Sequence, residues 1–239
     1  MITLYDPQQQ RSYALYGIDL GVGGRGNVAF VLWLLGYPDQ ALERMHDAFA
    51  LAQEFSHLQS VAFALSYAAM LHQLRREGHA AQERAEATVA LSTEQRFPMY
   101  LGWGTILQGW VLAEEGQGEQ GIAQIRQGLA AYQAMGGGAF RPYFLALLAE
   151  AYGKAGQTEE GLNVLAESLA IVNKTGERFY EAELYRLKGT LTLQSETSLG
   201  QVSDKSQTSP GRVKNKSKTS QGQAEDKSDR KSTRLNSSH

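Results

Sequence analysis

The feature that most constrains this chain is a 40-residue period, set out by the stretch LGYPDQALERMHDAFALA from Leu35 to Ala52. Gly36 is answered by Gly116 and Gly156, with Arg76 in the second slot. Ala41, Ala81, Gly121 and Gly161 share a slot, as do Met45, Ala85, Ile125 and Leu165. Phe49, Val89, Leu129 and Leu169 share another, and Ala48, Thr88, Gly128 and Ser168 form a series of small residues. A fixed period in this range, with small residues in register, marks a helical-repeat solenoid, because each repeat buries its apolar face only against its neighbours.

Within the period the apolar residues follow helical spacing, as in Ile122, Ile125, Leu129 and Tyr132, or Leu162, Leu165, Leu169 and Val172. The pattern predicts a first helix from about Asn27, its N-cap, to Leu35. Pro38 opens the next helix, where its missing N–H is harmless, and Asp39 suits the positive end of that helix. Further pairs are expected over Gln59–Arg76 and Ala80–Gln95, Tyr100–Glu115 and Glu119–Met135, and Pro142–Ala155 and Thr158–Lys174. Gly136-Gly137-Gly138 and Gly176 stop helices between pairs. A last helix, Phe179–Leu193, keeps the register through Gly189 and has no second helix, which is a capping position. The expected organisation is an irregular segment over 1–26, the remnant of a preceding repeat, then a repeat domain over 27–194. A disordered polar tail fills 195–239, and its end, KSTRLNSSH, reads as a cloning scar.

Composition narrows the function classes. No apolar run reaches 18 residues, so no membrane span is expected, and the N-terminus carries no secretion signal pattern. The chain has no Cys, which rules out disulfides and thiolate chemistry, and the cytoplasm is the expected compartment. The net charge of −2 divides unevenly: from Ser195 onward nine Lys and Arg face five acids, leaving the body with six excess acids. An acidic body argues against a nucleic-acid surface, and scattered charges among Ser, Thr and Gln read as a solvated tail.

The repeat slots resemble the tetratricopeptide pattern. Leu65, Thr105 and Leu145 stand at its first large position, and Ala29, Ala69, Gly109, Ala149 and Gly189 where helices approach closely. Leu32, His72, Leu112 and Tyr152 follow three residues later. The repeat is longer than that pattern's 34 residues. The strings LLGYPDQAL, LHQLRREG, WGTILQGW, QIRQGLAAY, RPYFLALLAEAYGKAGQTEEGL and TGERFYEAELYRLKG resemble the C-terminal tetratricopeptide region of bacterial AAA-type ATPase and nucleotidyl cyclase signalling proteins. The resemblance covers about Asn27 to Leu193. It implies an all-α, right-handed solenoid of antiparallel helix pairs acting as the sensing or scaffolding arm of a larger protein. It also implies an alternative, the regulatory C-terminal fragment of a nucleotidyl cyclase or of an ATPase-type transcription regulator. No cyclase or ATPase motif lies in the chain, and residues 17–27, GIDLGVGGRGN, depart from the family pattern.

Other motifs carry less. Gly21 to Gly26 satisfies GxGxxG, but a dinucleotide site needs flanking strands, and no strand pattern follows. A flexible entry to the first helix is expected instead. Lys174-Thr175-Gly176 matches a β-lactamase fragment, yet no serine nucleophile motif precedes it, and Lys then Gly is ordinary helix capping. His46, His57, His72 and His79 lack metal-ligand spacing, and His72 reads as a packing residue. Glu114-Glu115 and Glu159-Glu160 read as solvated helix ends. No enzyme activity, cofactor or metal site is expected.

In the family the first helix of each pair lines the concave side. The groove expected there is built from Phe63, Trp103 and Tyr143 in one slot, which Glu183 continues, and from Phe30, Met70, Trp110 and Glu150 in a second. Tyr67, Leu107 and Leu147 form a third, and Trp33 and Gln73 a fourth. Repeated aromatics on a concave face are what a peptide- or ligand-binding groove uses, and Trp103 and Trp110 are expected to stay partly exposed. The expected partner is a protein or peptide, or another domain of the parent chain.

Overall fold

The computed structural model describes residues 17–207, with side chains through residue 197. Among the described residues every regular element is a helix. They are α1 (Leu20–Leu34), α2 (Pro38–Glu54), α3 (Leu58–Leu74), α4 (Gly78–Glu94), α5 (Pro98–Glu114), α6 (Gly118–Ala134), α7 (Arg141–Lys154), α8 (Thr158–Thr175) and α9 (Glu181–Gln207). Successive helices pack as antiparallel pairs, α1 with α2 through α7 with α8, and α9 packs on α7 and α8. The odd-numbered first helices also pack on one another in sequence, forming the inner row, and each even-numbered helix joins its own pair to the next.

The 40-residue repeat is written into the backbone as a half-period. Gly36, Ser56, Arg76, Arg96, Gly116, Gly136, Gly156 and Gly176 all have positive φ, and they stand 20 residues apart. Most of these turns close the same way: Gly36 N–H reaches Trp33 O and Tyr37 N–H reaches Leu32 O, and the pattern returns at Glu77 to His72 and Gln117 to Leu112. These bonds satisfy carbonyls that a helix end would otherwise leave unpaired, and the left-handed residue makes them reachable. Pro38 and Pro98 then open α2 and α5. Two turns depart from this economy. Three residues, 55–57 and 95–97, separate α2 from α3 and α4 from α5, whereas residues 135–140 precede α7 and 176–180 precede α9.

Small residues let the pairs close. At α5 and α6 a Cβ on Gly109 would meet Gly121 O at 2.8 Å, and one on Gly128 would meet Gly102 O at 2.6 Å, so backbone touches backbone. Ala29, Ala69 and Ala149, read as close-approach positions, are buried, whereas Gly189 of the same series is exposed with nothing near it, because α9 has no second helix to pair with. The core runs along the inner row, from Val22 and Ala29 through Tyr143 and Phe144. A second cluster, with Leu165, Val172, Leu184, Leu187 and Leu191, seats α9 on α8.

Both ends differ from the expectation. α1 begins at Leu20 rather than near Asn27, and its N-cap is Asp19, whose carboxylate accepts from the Gly21 and Val22 N–H groups. The glycine-rich stretch is therefore the first two turns of a helix, not a frayed entry. Gly26 belongs there because a Cβ would lie 2.8 Å from the Phe63 ring. At the other end α9 continues past Gln194 to Gln207. Residues 1–16 of the expected irregular segment and the polar stretch over 208–239 lie outside the described residues.

Candidate functional site

A 40-residue spacing puts equivalent residues of α1, α3, α5 and α7 on one face, and that face lines the inner row. The structure brings the predicted groove residues together there, but it covers most of them. Phe63, Tyr67, Met70, Gln73, Trp103, Leu107, Trp110, Tyr143 and Leu147 are buried, and Phe30, Trp33 and Glu150 are half-buried. Trp103 and Trp110, expected to be partly exposed, retain 4% and 1% exposure. The physical reason is tight curvature, which brings α3 within side-chain reach of α7 and α9. The Tyr143 hydroxyl donates to Gln73 Oε1 at 2.7 Å across 70 residues of sequence. Burial and the nearby Tyr180 push the Tyr143 phenol up strongly.

The rings form a continuous stack. Phe63 lies 4.2 Å from Tyr67, Tyr67 5.4 Å from Trp103, and Trp103 5.3 Å from Phe144. Two further aromatics arrive from the longer turns. Phe140 lies 5.2 Å from Trp103, 5.9 Å from Tyr67 and 5.6 Å from Phe30. Phe179 lies 5.1 Å from Phe30 and 5.5 Å from Phe140. Edge-to-face geometry dominates these contacts, the arrangement ring quadrupoles prefer.

Beside the stack stands a charge cluster centred on Arg76. Its guanidinium bonds Glu150 Oε1 at 2.6 Å, lies 3.5 Å from Glu183 and 3.6 Å from Glu114, and sits 5.8 Å from the centre of the Trp110 ring. The Trp110 N–H donates to the other oxygen of Glu150 at 3.0 Å. Partial burial works against the charge on Arg76, yet Glu150 and Glu114 outweigh it and hold the guanidinium more firmly protonated. Glu183 is also gripped by Arg186 through two bonds of 2.6 Å, and Lys154 reaches Glu114 at 2.7 Å.

Next to this cluster the inner face opens. A cleft of about 410 Å³ is lined by Trp33, Leu74, Arg76, Tyr180, Glu183 and Arg186. Of the predicted groove residues only Trp33 lines it. Arg76, Tyr180 and Arg186 were not foreseen as site residues, although the sequence carried a signal for one. Arg76 replaces the glycine of its slot, and the members that break two apolar slots, Glu150 and Glu183, are its partners.

The remaining motifs are structural. Gly176 is the left-handed end of α8, and the Thr175 hydroxyl bonds back to Ile171 O. His72 lies 2.6 Å from Glu77 with 13% of its side chain exposed, and His57 caps α3 by accepting from the Ser60 N–H. Among the described residues no group of three or more His, Asp and Glu could hold a metal ion, and no helix is long and apolar enough to cross a membrane.

The fold defines the class: an all-α solenoid of antiparallel, tetratricopeptide-like helix pairs with a 40-residue repeat. No family profile matches the chain. An uncharacterized protein of Rhizobium meliloti (strain 1021) is 27% identical over 195 residues, which is 80% of this chain. The chain spans 19% of the length of that relative. Two solved structures of nearly identical kinesin-light-chain TPR-like repeats from Podosopora anserina are also similar. They are 19% and 18% identical, each with a TM-score of 0.48, and cover 79% and 74% of this chain and 97% and 96% of their own.

Proposed function

We propose that this chain is a noncatalytic protein- or ligand-binding helical-repeat module, the cytoplasmic sensing or scaffolding arm of a larger bacterial signalling protein. The observation that carries the reading is the open cleft at the edge of the inner row, where half-buried Trp33 and Tyr180 stand beside Arg76 and Arg186. Aromatic walls with a guanidinium at hand are features of binding hot spots. Most of the other groove residues are packed core. The relative's much greater length favours an arm of something larger and keeps the second reading in view, a regulatory fragment of a nucleotidyl cyclase or ATPase-type regulator. The partner would be a protein, a peptide or a domain of the parent chain.

The test is a photo-crosslinking residue placed at position 33 or 186, with exposed position 79 as control. Crosslinks confined to 33 and 186, with those from 33 lost on Arg186→Glu, are the expected outcome. Equal crosslinking from position 79 would move the partner off the concave face.

A further inference from the structure

The inner groove of this solenoid is occupied, and its occupants come from turns. Phe140 and Phe179 belong to the two connections that exceed the three-residue length of the earlier ones. Both rings are half-buried and pack on half-buried Phe30 and, through Phe140, on buried Tyr67 and Trp103. Phe140 is held in a left-handed backbone, φ 61°, a conformation that bulky side chains rarely adopt. Ahead of it runs Gly136-Gly137-Gly138, and Gly137 is obligatory because a Cβ there would lie 2.5 Å from the Tyr132 ring. Backbone bonds from Gly136 to Gln133 O and from Gly137 to Tyr132 O close the end of α6, and the Phe144 N–H opens α7 on Phe140 O. Beyond these, two bonds latch the far end of the turn, the Tyr132 hydroxyl donating to Ala139 O at 2.6 Å and the Phe140 N–H to Glu177 at 2.8 Å. The second bond ties one plug turn to the other. Trp103, on which Phe140 packs, is buried, and its indole N–H finds no acceptor among the described residues.

We infer that Phe140 and Phe179 are a displaceable internal plug, and that the groove under them receives an extended segment bearing two aromatic side chains. The two rings lie 5.5 Å apart. Alternate residues of an extended peptide point the same way at about 6.6 Å spacing, so one such segment can offer both rings at once. Its backbone also brings carbonyls to a site where Trp103 lacks an acceptor, which the plug does not supply. A strained turn, a triple-glycine hinge and a two-bond latch make release of the plug a local event rather than unfolding.

The inference rests on reading the module as a binding one, but its test uses no natural partner, so either can fail alone. In the full chain, hydrogen exchange at the Phe140 amide should be at least about tenfold faster than at the Ile125 amide in α6, and independent of low urea, if the plug opens locally. Exchange of both amides only through global unfolding would overturn the plug. Phe140→Ala/Phe179→Ala should bind acetyl-Phe-Ala-Phe-amide at least about tenfold more tightly than wild type, as expected when an internal competitor is removed. Acetyl-Ala-Ala-Ala-amide should not bind, and Phe30→Ala added to the double variant should weaken capture. A folded double variant that binds no better than wild type overturns the proposal. Should the double variant fail to fold, the wild-type exchange measurement decides.

Discussion

Arg76 stands where the other turns from first to second helix hold Gly36, Gly116 and Gly156, with a φ of 61° that glycine would adopt more readily. Replacing it with Gly relieves about 1 kcal/mol of left-handed strain. The same change strips Glu150, 13% exposed with Arg76 in place, of its cation. A half-buried carboxylate left with the Trp110 N–H but no cation costs more than the relief, so Arg76→Gly should lose a net of about 1–2 kcal/mol in urea unfolding. A gain in stability would show that the ion pairs do not hold the inner face. Trp110 belongs to the same unit, and Trp110→Ala should cost about 3–5 kcal/mol because it empties a fully buried site. An unchanged urea midpoint would return Trp110 to the exposed groove expected from the sequence. The sequence displayed every odd residue of this cluster as a break in a series. It could not display their meeting, because Arg76 and Glu183 are 107 residues apart and approach only through accumulated curvature.

At the scale of the helix, glycines that look alike in the sequence do opposite work. Gly121 is pressed against Gly109 O, where a Cβ would come within 2.5 Å, while Gly189 in α9 has nothing within 4 Å. Gly121→Ala should therefore destabilise by about 1–3 kcal/mol through overpacking against rigid backbone. Gly189→Ala should stabilise by roughly 0.5–1 kcal/mol, since alanine has the higher helix propensity and meets nothing. Thermal melts of the two variants check both signs, and a stabilised Gly121→Ala would mean that α5 and α6 sit farther apart than described. Slot position alone puts Gly189 among the close-approach residues; the contrast arises because α9 has no second helix to press on it. Helix ends were less legible. The α1 start was obscured by Gly21, Gly23, Gly24 and Gly26, whose weak propensity is offset by the Asp19 cap and by packing against Phe63. Polar composition after Leu193 predicts a helix end there, whereas α9 persists to Gln207.

Across the whole molecule, tight curvature turns an expected open groove into packed interior, and it carries five phenols inside. Tyr67, Tyr143 and Tyr180 are raised well above the ordinary phenol value, and Tyr100 and Tyr132 are pushed up to about 12. Burial is the leading cause in each, since a phenolate in the stack would be poorly solvated and would repel its neighbours or nearby carboxylates. The unfolded chain ionises these groups near 10.0, and the folded chain holds them neutral to about 12 for Tyr100 and Tyr132. Their contribution to stability is thus fully present below pH 10 and is lost as pH rises toward 12. Each phenol removes up to about 1.4 kcal/mol per pH unit inside that window, because the unfolded state has given up a proton that the folded state keeps. Urea midpoints should stay level through neutral pH and fall steeply above pH 10. Tyr132→Phe should blunt the fall, because it removes one phenol while keeping the ring that packs on Trp103 and Phe144. A level midpoint toward pH 12 would mean that the phenols are solvated and that the inner row is open to water.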